Sequence, residues 1–321
     1  MTIKIIGQVP EVKRIMTGLH SFDRAFINAD GDIGFPIGKG IELFGQTHVG
    51  KSTIVYSLAG MIAKELEGNI ALADFEGFDP NFLKVVLNNS GFDGTLYYIQ
   101  RNEDEETLDE LMSALRKTKD NYCVGIVDSI GAISPISEAE GSLGEANMGR
   151  RAFLMAQFTR KGMKLLRDNT RTLFMINHAY PVIGGRGMQS PGGEVKKYLL
   201  SIRIQVKRKY VSGGYEEYPD GSYVITGQVV KNRWGLKDRT FHLFVLSGKG
   251  ISRELTAVYD CLVLKLAKKD RVIKIGDKSF GYLKSIVDEA RAGNTDFFQP
   301  FFELLSQHQE TETIEDQEVA D

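Results

Sequence analysis

The sequence predicts an α/β fold built on a largely parallel sheet, and three observations carry that expectation. Short apolar runs alternate with segments of helical periodicity from Ile41 to about Lys209. The stretch Gly45-Gln46-Thr47-His48-Val49-Gly50-Lys51-Ser52 joins the first such strand to the first such helix as a phosphate-binding loop. Carboxylates stand at or just past two apolar runs, Glu76 after one and Asp128 after the other, at the strand ends where an open parallel sheet places its ligands.

Taken in order, strands are expected over 41–44, 70–73, 96–99, 124–127, 173–176 and 202–207, with helices over 52–66, 80–90, 104–118 and 148–168. In the third helix Leu108, Leu111, Met112 and Leu115 recur at helical spacing, which reads as a core-facing stripe rather than a ligand contact. Strand–helix alternation implies right-handed crossovers between parallel strands. Two Gly-rich stretches, 141–149 and 184–193, are polar and long enough to be functional loops. Past Gly250 the pattern changes to short helices and one hairpin near 272–278, so a domain boundary is placed there. The segment 308–321 carries six acidic residues and no Lys or Arg, the composition of a disordered acidic tail. The expected organisation is an N-terminal arm (1–16), a core (17–250), a small α/β C-terminal domain (251–307) and the tail (308–321).

The 321 residues are 42% hydrophobic and 26% charged, enough for a sizeable core with a small appendage. A net charge of −2 gives no global attraction to nucleic acid or to an anionic membrane, so any such contact must be a local basic patch. Cys123 and Cys261, far apart in apolar surroundings, suit a reducing compartment and lack zinc-type spacing. The N-terminal segment has no signal-peptide pattern and no run reaches membrane-spanning length, so a cytoplasmic, membrane-free protein is expected.

The phosphate loop carries the firmest chemistry. Backbone N–H groups of Gly45 to Gly50, together with those of Lys51, Ser52 and Thr53 at the helix start, can cradle phosphate oxygens. Lys51 would reach the β- and γ-phosphates of ATP, and Ser52 would ligate Mg²⁺. Asp128, ending an apolar strand, has two readings: it holds the water shell of Mg²⁺, or it caps the next element. Glu76 likewise either orients the water that attacks the γ-phosphate or caps the helix beginning near Pro80.

Val127-Asp128-Ser129-Ile130-Gly131-Ala132-Ile133-Ser134-Pro135, with Glu138, Glu140-Gly141 and Met148-Gly149 beyond it, closely resembles the corresponding region of bacterial RecA recombinases. So do Asp74-Phe75-Glu76 with Asp79-Pro80, Asn177-His178, Gly192-Gly193, Val229-Val230-Lys231-Asn232-Arg233, Met16-Thr17-Gly18 and Ser21-Phe22-Asp23. The similarity runs in unbroken order from about Thr2 to Leu305. It implies a RecA-type ATPase that polymerises on single-stranded DNA and exchanges strands with a homologous duplex. Such a filament also implies a single-strand-binding protein or loading mediator as a further partner.

Residue by residue, the resemblance makes Glu76 the catalytic carboxylate, Asp79 a hydrogen-bonding partner of the adenine amino group, and Phe82 the ring stacked on adenine. It makes Lys231 and Arg233 a basic pair reaching into the neighbouring subunit's ATP. His178 stands where the family has a Gln that senses the γ-phosphate. The Gly-rich stretches match two DNA-binding loops, 141–149 and roughly 179–193, with Met148 in the first and Val182, Ile183, Arg186, Gly192 and Gly193 in the second. Arg150, Arg151 and Arg160 follow the first loop, while Lys207 and Arg208 retain part of a secondary DNA site. Ile3 and Ile5 belong to a polymerisation strand that adds to the next subunit's sheet, and Tyr198 is an expected interface aromatic.

Departures from the pattern are the missing N-terminal helix, a second loop about three residues shorter, Phe153 in place of an arginine, and Thr226 and Gln228 in place of basic residues. These departures leave room for a second reading, an ATP-regulated single-strand-binding or mediator protein without strand exchange. A ring-shaped helicase is a third, which the N-terminal strand disfavours because an added edge strand suits open helical assembly.

Overall fold

The computed structural model describes residues 12–118, 121–134, 150–181, 188–190, 194–211, 214–215, 218 and 220–318. A short ladder, β1 (Arg14–Ile15) with β2 (Phe35–Pro36), frames α1 (His20–Arg24). Asp23 closes this turn: its buried carboxylate accepts the N–H groups of Thr17 and Gly18 and the Thr17 hydroxyl at 2.8–3.1 Å.

From there strands and helices alternate as expected: β3 (Gly40–Gly45), α2 (Lys51–Glu65), β4 (Asn69–Asp74), α3 (Pro80–Asn89), β5 (Leu96–Gln100), α4 (Asp104–Lys117), β6 (Cys123–Asp128), α5 (Arg150–Leu165) and β7 (Arg171–His178). The ladder β8 (Tyr180–Pro181) with β9 (Met188–Gln189) flanks part of the second Gly-rich stretch. Next come α6 (Glu194–Leu199), β10 (Ile202–Arg208), the hairpin β11 (Tyr210–Val211) with β12 (Gly214–Tyr215), then β13 (Tyr223–Asn232), β14 (Thr240–Leu246) and β15 (Gly250–Ile251).

Nine strands form one sheet in the order β15-β14-β13-β10-β3-β7-β6-β4-β5. The six from β10 to β5 are parallel, and the other three extend the sheet antiparallel. Helices cover both faces, which is why β3, β4 and β6 are buried along their whole length and read as continuous apolar runs. Helices α2 and α3 bury Ile54, Leu58, Ile62, Leu83 and Val86 on one face. On the other, α4 and α5 bury the Leu108, Leu111, Met112 and Leu115 stripe with Met155 and Phe158. The antiparallel extension escaped the sequence reading because β13 alternates buried and half-buried residues, a weaker signal than a continuous run.

Glu42 is the one acidic residue inside β3, and it is fully buried. It accepts hydrogen bonds from Asn177 Nδ2 at 2.8 Å and Arg203 Nε at 2.6 Å, so its charge is paired by the two flanking strands.

Past β15 lie α7 (Arg253–Val263), the three-stranded β16 (Lys268–Lys269), β17 (Ile273–Ile275) and β18 (Lys278–Gly281), then α8 (Leu283–Ala292) and α9 (Gln299–Glu318). Their core, with Phe280, Ile286, Phe298, Phe301 and Leu305, also takes in Val224, Phe244 and Leu246 from the large sheet. The backbone of α9 runs helically through Glu318, into the acidic segment that begins at His308. The packed Phe301 and Leu305 start the helix, and the segment beyond contains no Gly or Pro, so only favourable propagation is needed. Among the described residues no helix is long and apolar enough to cross a membrane.

Candidate nucleotide site and nucleic-acid surfaces

The phosphate loop leaves the carboxyl end of β3 and enters the first turn of α2. Gly50 closes it in the left-handed region at φ 88°, and a Cβ there would lie 2.4 Å from the Tyr223 hydroxyl. Buried Val49 anchors the loop to the core, while Gln46, Thr47 and His48 are exposed. Lys51 is almost fully buried, and its ammonium donates to the Gln46 carbonyl at 2.8 Å, curling over its own loop. Burial lowers its pKa, opposed by the charges of Glu76 and Asp128.

Strands β4 and β6 are neighbours, and Asp74 and Asp128 sit in register at their carboxyl ends. Asp128 is buried, which pushes its carboxyl up to about 6, with the neighbouring Tyr56 and Ser52 hydroxyls opposing the rise. The Tyr56 hydroxyl donates to Oδ2 at 2.7 Å, whereas Oδ1 is buried with no hydrogen-bond partner among the described residues. An orphaned carboxylate oxygen beside a loop hydroxyl is a hard-oxygen donor set that fits magnesium.

Asp74 does different work. It accepts the N–H groups of Glu76, Gly77 and Phe78 at 3.1, 2.9 and 2.7 Å, and the Tyr98 hydroxyl at 2.7 Å. The chain therefore turns sharply after β4 and presents Glu76. The Ser129 hydroxyl donates to Glu76 Oε1, and His178 Nε2 lies 3.0 Å from the same oxygen. Glu76 does not cap α3: that role falls to Asp79, whose carboxylate accepts the Asn81 N–H at 2.9 Å. His178 ends β7 in register with Gly45, and Gly131 permits its close approach, since a Cβ there would lie 2.9 Å from the ring. Lys51, Glu76, Asp128 and His178 thus meet at the carboxyl ends of β3, β4, β6 and β7. Half-buried Phe82 packs on Phe78, whose edge meets Tyr56.

Lys231 and Arg233 lie elsewhere. Lys231 is in register with Arg203 and through it with Glu42, and the Arg233 N–H bonds the Ser201 carbonyl beside Gly40. This is the amino end of β3, the opposite end of the strand from the phosphate loop. Lys231 Nζ donates to the Leu200 carbonyl at 2.7 Å and Arg233 Nη2 to the Tyr198 carbonyl at 2.6 Å, so both hold the end of α6. Burial, then the charges of Arg233 and Arg203, lowers Lys231 to about 8. Tyr198 projects from the same corner with 67% of its surface exposed.

Among the expected DNA contacts, Arg151 Nη1 lies 3.4 Å from the Gly131 carbonyl, and Arg160 Nε donates to the Ala156 carbonyl at 3.1 Å. Lys207 is exposed opposite Thr226, and Arg208 stacks over the Tyr223 ring at 3.8 Å. Arg150 begins α5. Ile3, Ile5, Met148, Val182, Ile183, Arg186, Gly192 and Gly193 lie outside the described residues. The sequence reading missed Tyr56, Tyr98 and Ser129. Tyr56 carried a signal, standing four residues after Ser52 on one helix and so on the same face.

The family model for the RecA N-terminal domain matches residues 3–252, more than half of the chain. The RecA protein of Chlamydia muridarum is 30% identical over 296 residues, covering 90% of this chain and 80% of that protein. That of Treponema pallidum is 30% identical over 296 residues, covering 91% and 68%. That of Ruminococcus albus is 29% identical over 267 residues, covering 81% of this chain but only 63% of its own length.

Proposed function

This chain belongs to the RecA family, and we propose that it is an ATP-dependent recombinase. In this reading it forms helical filaments on single-stranded DNA, hydrolyses ATP to ADP and phosphate when DNA is bound, and pairs the strand with a homologous duplex. The observation that carries the reading is the division of the site between the two ends of the sheet's parallel strands. Lys51, Glu76, Asp128 and His178 meet at the carboxyl ends, while Lys231 and Arg233 stand at the amino ends. Copies stacked head to tail would bring one subunit's basic pair to the next subunit's phosphates, and such a contact builds an open filament. A cation supplied in trans is worth roughly 10³–10⁵ in rate where it has been removed from related phosphoryl-transfer enzymes.

Within one site the loop N–H groups and Lys51 bind the β- and γ-phosphates. Ser52 and Asp128 would hold Mg²⁺, which neutralises phosphate charge when bound. Glu76 accepts a proton of the attacking water, and Ser129 and His178 fix the direction of its carboxylate. Positioning is most of what a phosphoryl-transfer site must supply. His178 Nε2 can exchange Glu76 for a γ-phosphate oxygen, and β7 leads from it toward the second Gly-rich stretch.

Electron microscopy with single-stranded DNA and a non-hydrolysable ATP analogue tests the assembly, and helical filaments are the expected image. Failure to form joint molecules with a homologous duplex, with ATP binding intact, would refute strand exchange. That result would favour the mediator reading, which the uncharged Thr226 and Gln228 on β13, opposite Lys207 and Gln205, support.

A further inference from the structure

The exposed face of α5 does not belong to the nucleotide site. Phe153, Gln157, Arg160, Lys161 and Lys164 are all exposed, and Arg167 continues the line just past the helix. Their spacing of four, three, one, three and three residues places them on one stripe. Phe153 keeps 68% of its surface exposed, the most among the large hydrophobic side chains of the described residues. A shallow groove of about 300 Å³ is lined by Phe153, Gln157, Arg160, Lys161 and Lys164. No acidic residue shares the stripe. Asp109 of α4 reaches Lys161 at 3.6 Å, but both partners are exposed, so this pair contributes little and is easily exchanged.

The geometry points to Phe153 as a base-stacking residue for single-stranded DNA, with Lys161 and Lys164 following the phosphates along the same groove. This rests on the reading of the chain as a DNA-binding filament protein and deepens it by naming an apolar contact within the grip. Three features select this occupant. The groove is cationic on a chain whose net charge is −2, so it is a local anion-attracting surface. A flat aromatic ring needs the face of a base, and only an unpaired strand offers one, since duplex stacking hides them. The stripe also begins in the first turn of α5, directly after the Gly-rich stretch expected to touch DNA. From Phe153 to Lys164 the helix rises roughly 16 Å, so one strand lying along it meets the ring first and the lysines beyond.

The test measures binding of the full-length chain to a fluorescent oligo-dT strand, with Mg²⁺ and a non-hydrolysable ATP analogue, across a salt series. Phe153→Ala should weaken binding roughly tenfold at every salt concentration, in the range expected for losing one stacked base. The slope of log K against log salt should be unchanged. Phe153→Tyr, which keeps a ring, should bind as wild type does. Lys161→Ala and Lys164→Ala should each reduce that slope by about 0.7. An unchanged urea melt of Phe153→Ala confirms that the fold is intact. Equal binding by Phe153→Ala and wild type overturns the inference while leaving the recombinase reading in place. So does an equal loss on duplex DNA, or a sedimentation change without DNA, which would make the face a contact between copies. Failure of the wild type to bind the strand at all would instead sink the functional reading itself.

Discussion

Tyr56→Phe removes one oxygen atom and leaves the ring packed under Phe78. Wild-type Tyr56 is fully buried, and its hydroxyl donates to Asp128 Oδ2 at 2.7 Å. Asp128 is itself 2% exposed, and Oδ1 already lacks a partner among the described residues. Water therefore has no open path to replace the lost donor. A hydrogen bond to a charged group is worth about 1.5–3 kcal/mol, and the variant should lose about that much stability. Tyr98→Phe is the internal control: its hydroxyl donates to Asp74 Oδ2 at the same 2.7 Å, and Asp74 is equally buried, but that carboxylate also accepts the N–H groups of Glu76, Gly77 and Phe78. Those donors remain in the variant, so its loss should stay below about 1 kcal/mol. Urea denaturation with unchanged m-values reads both. Equal losses, or a Tyr56→Phe effect below about 0.5 kcal/mol, would refute the lack of other donors at Asp128 as the cause of the difference.

Lys51→Ala should abolish nucleotide binding and nucleotide-dependent assembly, read by equilibrium binding of a fluorescent ATP analogue. Glu76→Ala should bind ATP and DNA normally yet lose roughly 10²-fold or more in hydrolysis; normal turnover would remove Glu76 from the site. Asp260 supplies a pH prediction, since burial raises its carboxyl from 3.8 to about 7. A carboxyl raised on folding stabilises the fold while protonated, and that stability is lost as pH rises through the folded value. Wild type should therefore lose stability relative to Asp260→Asn between about pH 4 and pH 7, by up to roughly 4 kcal/mol. His20, depressed to about 4 chiefly by burial, acts in the opposite sense in both proteins and cancels in the comparison. Parallel stability curves for the two proteins would show that Asp260 does not titrate in this way.

The phosphate loop, the helical stripe of α4 and the strand-ending Asp128 were legible in the sequence because each depends on neighbours only a few residues away. A strand buried on both faces writes a continuous apolar run, and a loop before a helix writes its glycines and lysine in fixed order. The conversion of Glu76 from a possible helix cap to a partner of Ser129 and His178 was not legible. It needed Asp79 to take the cap and β4, β6 and β7 to lie side by side. The continuation of α9 through Glu318 was likewise not legible in an acidic composition, because packing of Phe301 and Leu305 upstream supplies the helix start.

By itself the sequence determined that a loop of phosphate-binding pattern joins a strand to a helix in a parallel α/β sheet, and which acidic residues stand near it. Only the tertiary structure decided which groups share one end of the strands. Strand order in the sheet is not chain order: β3 lies between β10 and β7, strands that follow it by more than a hundred residues. Hydrogen-bonded pairing between such distant segments places His178 beside Glu76 and sends Lys231 and Arg233 to the opposite end of the strands. No local spacing in the chain encodes that separation.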